Sequence, residues 1–165
     1  WNKIEHKFCT DLNDKFTNKD IDGWLSHFLP FGKIDILQYG NGEKNNEIIK
    51  KISFSLSNIE NLSDDENVIP ARIMAKSIFN ELDKIEYKMS KGKLLGIYIV
   101  NKDKAEVYAR FKRYNKSDEI FQKIRVVYKL DLNNGNWFIT GLTAHEDYDE
   151  AVESIYADKT WCIKE

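Results

Sequence analysis

Two hydrophobic periods divide the chain. Up to about residue 84 apolar residues recur every three or four positions, and from 85 to 146 they alternate with polar ones. Ile4, Phe8, Leu12 and Phe16 stand at strict four-residue spacing, which predicts a helix over 4–16. After the polar break Thr17, Asn18 and Lys19, Asp20 and Asp22 are good caps for a second helix carrying Ile21, Trp24, Leu25 and Phe28. Pro30 stops that helix. A short strand is expected over 33–38, closed by a turn at Tyr39, Gly40, Asn41 and Gly42. A third helix is expected over 45–59, with Ile48, Ile49, Ile52, Leu56 and Ile59 on one side. Beyond the acidic loop 63–66, Pro70 suits the first turn of a fourth helix that buries Ile73, Ala75, Ile78, Phe79 and Leu82.

The second half reads as strand after strand. Ile85, Tyr87 and Met89 alternate, and the apolar run over 94–100 follows. Ala105, Val107, Ala109 and Phe111 share one strand face, with Glu106, Tyr108, Arg110 and Lys112 on the other. The strand over 120–132 turns Ile124, Val126, Tyr128, Leu130 and Leu132 inward, opposite Lys123, Arg125 and Lys129. Asn134-Gly135 is a strong hairpin turn before a closing strand over 137–143. The tail around 149–157 has a helical pattern through Ala151, Val152, Ile155 and Tyr156. Alternation of this kind implies an antiparallel meander with one solvated face and helices on the other, an α+β fold.

Composition narrows the class. The 165 residues are 42% hydrophobic and 32% charged, which suits one globular domain over 1–165 (core 4–146, tail 147–165) and excludes intrinsic disorder. Net charge is −2, from 25 basic and 27 acidic residues, so no bulk field draws the chain to nucleic acid. No apolar run approaches the roughly 20 residues of a membrane span. The chain opens on Trp1, which points to a processed or trimmed form, compatible with an extracytoplasmic location. Sequons at Asn61 and Asn115 fit secretion equally. Cys9 and Cys162 read either as two free thiols or as one bridge tying the first helix to the tail.

The order of elements, with Asn18-Lys19-Asp20-Ile21-Asp22-Gly23-Trp24-Leu25-Ser26-His27-Phe28 near the start and Asn134-Gly135-Asn136-Trp137-Phe138-Ile139-Thr140-Gly141-Leu142 near the end, resembles the nuclear transport factor 2-like superfamily. That superfamily includes ketosteroid isomerases, SnoaL-type cyclases and many non-enzymatic binding modules. The resemblance covers about residues 4–146; the helix near Pro70 to Leu82 is longer than the usual connection there. It implies a curved cone whose concave face makes a pocket, lined here by Trp24, Phe28, Ile36, Phe111 and Tyr128. The isomerase pattern places Leu12 where its tyrosine belongs and Ile36 where its general-base aspartate belongs, and neither transfers a proton. Asp35 is one residue away, which on a strand means the other face. The resemblance therefore implies a binding module, holding a protein partner or an apolar ligand, with a SnoaL-like enzyme on a hydrophobic ring substrate as the alternative. It also allows a homodimer.

Remaining chemistry is sparse. His145 follows the last strand and, with Asp35, is a candidate acid–base group. His6 and His27 flank apolar helix stripes and read as surface or boundary residues. The 18–29 segment imitates the start of a calcium loop, but Leu29 occupies the position of the bidentate glutamate. No spacing supports a metal site, a nucleotide cofactor or a serine nucleophile, so no metal and no cofactor is expected. Arg110, Lys112, Lys123, Arg125 and Lys129 are expected on a solvated outer sheet face.

Overall fold

The computed structural model describes residues 2–40, 47–57, 67–146 and 162–163. The first stripe folds as expected. Helix α1 (Asn2–Glu5), a π-helical stretch (His6–Asp11) and α2 (Leu12–Thr17) follow one another through right-handed backbone at Glu5, Asp11 and Leu12, and so run as one helix. Phe8, Leu12 and Phe16 are buried along it. Lys19 takes a positive φ (55°), which ends the helix, and Asp20 then caps α3 (Ile21–Leu25) by accepting the Gly23 N–H at 3.0 Å. α3 stops short of Phe28 because the chain turns onto the sheet. There Leu29 donates to the Ile139 carbonyl (2.9 Å) and Ile139 donates to that of His27 (2.8 Å).

Strand β1 (Ile34–Tyr39) pairs antiparallel with β2 (Ile48–Ser55), aligning Ile34 with Phe54 and Ile36 with Ile52. The helix expected over 45–59 is therefore corrected to a strand where it is described. Its isoleucines are β-branched and fit a pleated surface at least as well as a helix. Pairing with β1 decides between the two, and it turns Ile52 and Phe54 toward the core while Ile48 and Ile49 stay exposed. A short strand, β3 (Val68–Pro70), runs parallel to β2 and leads into α4 (Ala71–Lys84). Pro70 sits just before the helix instead of in its first turn. The buried stripe of α4 is Ala71, Met74, Ala75, Phe79 and Leu82; Ile73, expected inside, faces solvent because the buried arc is centred one residue further on.

The meander consists of β4 (Tyr87–Asn101), β5 (Lys104–Asn115), β6 (Ile120–Asn133) and β7 (Asn136–Glu146), each antiparallel to the next. Asn134 (φ 50°) and Gly135 (φ 77°) make the β6–β7 turn with the two consecutive positive φ angles that a tight hairpin needs. β1 joins β7 in parallel, and β8 (Cys162–Ile163) adds to β4, giving the order β3-β2-β1-β7-β6-β5-β4-β8. Register shifts within β4 and at Lys129/Leu130 supply the bulges that bend a long sheet. The acidic loop 63–66, the second half of the turn at 39–42 and the tail helix expected over 149–157 lie outside the described residues.

The inner face is as apolar as the alternation implied: Ala105, Val107, Ala109, Phe111, Ile124, Val126, Tyr128 and Leu130 are all buried. Phe28 centres the core, with its ring 5.1 Å from Trp24 and 5.4 Å from Phe54. The outer face differs from expectation. Lys112, Lys123 and Lys129 are exposed, but Tyr108, Arg125, Val127 and His145 are buried. The unbroken apolar triplet Val126-Val127-Tyr128 is the local sign of a strand covered on both faces. Among the described residues, no helix is long and apolar enough to cross a membrane.

Candidate functional site

Between the helices and the inner sheet face lies a cavity of about 540 Å³, within the roughly 300–1,000 Å³ range of pockets that hold small molecules. Each wall comes from a different element. The continuous first helix contributes Leu12, Asn13 and Phe16, and the segment with α3 contributes Trp24 and Phe28. Ile36 and Gln38 come from β1, Ile52 from β2, Met74 and Leu82 from α4, and Phe111, Tyr128, Leu142 and Ala144 from the meander. Trp24, Phe28, Ile36, Phe111 and Tyr128, picked out in the sequence, thus sit on one wall system. Leu12 and Ile36, which replace the tyrosine and aspartate of the isomerase pattern, line it as well.

The two acid–base candidates do not. Leu142 and Ala144 of β7 face the cavity, so His145 points to the outer face, where its ring stacks on Tyr39 at 4.5 Å and 12°. Burial lowers its pKa, and the Arg125 guanidinium on the neighbouring strand lowers it further. Its side chain is buried. Asp35, flanked by inward Ile36, also turns away and accepts a hydrogen bond from the Ser53 hydroxyl at 2.6 Å. Strand pleat is the reason in both cases. His27, expected at the boundary, is buried with its ring nitrogens 3.0 Å from the Gly23 carbonyl oxygen and 2.8 Å from Asp11 Oδ2, fastening α3 to the first helix.

Polar groups in the cavity are few. Asn13 donates to the Ser90 carbonyl at 2.7 Å, and the Ser90 and Tyr87 hydroxyls are 2.7 Å apart. Tyr128 stacks on Phe8, and burial pushes its phenol pKa upward, so it remains a protonated donor. Lys50, Ser77 and Glu81 are exposed residues at the rim, and Glu81 is bonded to Lys84 at 2.9 Å. Arg113, from β5, is the cavity residue that sequence reasoning passed over; Nη1 donates to Gln122 Oε1 at 2.9 Å, and the guanidinium lies 5.6 Å over the Phe16 ring. Its signal was present: Arg113 continues the inward row Ala105, Val107, Ala109 and Phe111. Among the described residues no group of three or more His, Cys, Asp or Glu could hold a metal ion.

The Cys9 thiol is free and buried, and burial pushes its pKa up to about 12. Cys162 pairs through its backbone with Ile97 on β4.

No family model and no curated protein matches the chain. Solved structures do. A domain with a cystatin-like fold from Nostoc punctiforme aligns over 95% of this chain and 83% of its own, at 12% identity and a TM-score of 0.62. An NTF-2 like protein from Shewanella oneidensis aligns over 82% and 90%, at 12% identity and 0.54. A ketosteroid isomerase-like protein from Erwinia carotovora aligns over 84% and 90%, at 10% identity and 0.53. The fold is shared with these proteins; at such identities chemistry does not follow from it.

Proposed function

We propose that the chain is a non-catalytic binding module that holds an apolar small molecule in its cone, having the nuclear transport factor 2-like fold as its scaffold. The observation that carries this reading is the cavity wall. Aliphatic and aromatic side chains dominate it, and among the described residues its only carboxylate is Glu81, at the exposed rim. General acid–base catalysis needs a titrating side chain within hydrogen-bond reach of the proton it moves. His145 and Asp35 both lie across the sheet from the cavity. Burial of an apolar body against such walls supplies binding energy at about 25 cal/mol per Å² without any chemical step.

Mass spectrometry of whatever copurifies with the natively isolated protein tests the reading. A stoichiometric apolar small molecule supports it. So does saturable quenching of tryptophan fluorescence by an apolar probe, since Trp24 lines the cavity. An Ile36→Trp variant, which fills the cavity from β1, should then lose most of that binding. Turnover of a ring substrate, or probe binding that Ile36→Trp leaves untouched, would overturn it.

A further inference from the structure

We propose that the cavity takes an apolar carboxylic acid, with its carboxylate held by Arg113 and its body lying among Trp24, Phe28 and Ile36. The inference rests on the binding reading above and deepens it. Arg113 is a permanent cation set in the wall of an apolar space. Of its donors, Nη1 reaches Gln122, while Nε is enclosed and has no hydrogen-bond partner among the described residues. Around it stand the Phe16 ring and the phenols of Tyr87 and Tyr128. Among the described residues no carboxylate forms an ion pair with it.

Such an arrangement is costly if nothing else joins it. Buried charges are ordinarily paired, and an enclosed donor without a partner forfeits its hydration with no return. Desolvation by burial, the largest influence on Arg113, acts against its charged form, although the side chain as a whole is only half-buried. A carboxylate matches the guanidinium fork with two acceptor oxygens and cancels one charge with one charge. That stoichiometry favours a monoanion over a phosphate dianion, which would need a second cation. Lys50, the other basic residue on the cavity wall among the described residues, lies exposed at the rim, where Glu81 is within its electrostatic reach.

Matched probes test this. 1-Naphthylacetate and 1-naphthylacetamide have nearly the same shape, as do decanoate and decanamide, and each pair differs in charge at one end. Titration calorimetry on the full chain at neutral pH should show at least one acid binding about tenfold or more tighter than its amide. Arg113→Met should abolish the preference while leaving amide affinity unchanged, and Arg113→Lys should keep part of it. Thermal unfolding of each variant controls for folding, and the acid-to-amide ratio in the unsubstituted protein stands without any variant. Equal binding of acid and amide would overturn the carboxylate head but leave the apolar cavity standing. Failure of all four probes to bind would count against both readings. A preference that survives Arg113→Met would also overturn the proposal.

Discussion

Gly92 on β4 lies against the carbonyl of Cys9: a Cβ at position 92 would fall 2.8 Å from that oxygen and 2.6 Å from Cε1 of Phe111. Both distances are shorter than real Cβ contacts. Phe111 can swing away, but the Cys9 oxygen belongs to the π-helical stretch and moves only with its backbone. The absent side chain therefore lets the first helix settle onto the sheet.

Gly92→Ala is expected to destabilise the fold by about 1–3 kcal/mol, the usual cost of overpacking. Urea denaturation measures it. Because Phe111 lines the cavity, the same variant should weaken binding of an apolar probe. Unchanged stability would show that the helix does not bear on Gly92.

Cys9 should make the protein sensitive to alkaline pH. Its folded pKa is raised to about 12 by burial, with Glu5 adding to the effect, against about 8.5 for an exposed thiol. Between those values the native state holds a proton that the unfolded state has lost, so stability falls as pH rises. In a Cys162→Ala background, Cys9→Ala should flatten the alkaline limb of the unfolding curve. Alkylation at pH 8 should be slow in the native protein and fast in urea.

His145 should act at the opposite end of the scale. Burial first, then Arg125, lowers its folded pKa beneath the usual 6.5. Below that value the unfolded chain takes up a proton that the native imidazole does not, so stability drops as pH falls from 7 toward 5. His145→Gln removes this contribution. Thermal melts across that interval should show a shallower loss in the variant than in the unsubstituted protein.

Phe54 tests the strand that replaces the expected third helix. It is fully buried, aligned with Ile34 across the β1–β2 pair and packed edge-on to Phe28. Phe54→Ala should cost about 3–5 kcal/mol, as for a large buried aromatic. Ile49→Ala, at an exposed position of the same strand, should cost a small fraction of that. On a helix with Ile48, Ile49 and Ile52 as its buried face, the ranking would reverse.

The sequence by itself determined the elements whose signal is local. The four-residue stripe became a helix face, buried at Phe8, Leu12 and Phe16 and partly buried at Ile4, Asp20 became a cap, and Asn134-Gly135 became a tight turn. The period-2 rows of β5 and β6 separated inside from outside because strand pleat leaves no other choice, and the same pleat turned Asp35 away from Ile36. Arg113 was legible on the same grounds as the next residue of its row. Tertiary structure alone decided the rest. Residues 48–55 carry isoleucines compatible with either period, and only pairing with β1 made them a strand. His27 looks like a boundary residue until Asp11, sixteen positions away, bonds to it, and nothing local in the sequence announces the Tyr39 ring stacked on His145. The cavity belongs to no single segment. Its walls come from helices and strands that meet across the whole chain, so a local pattern can say which residues face inward but not whether they fill the space they enclose.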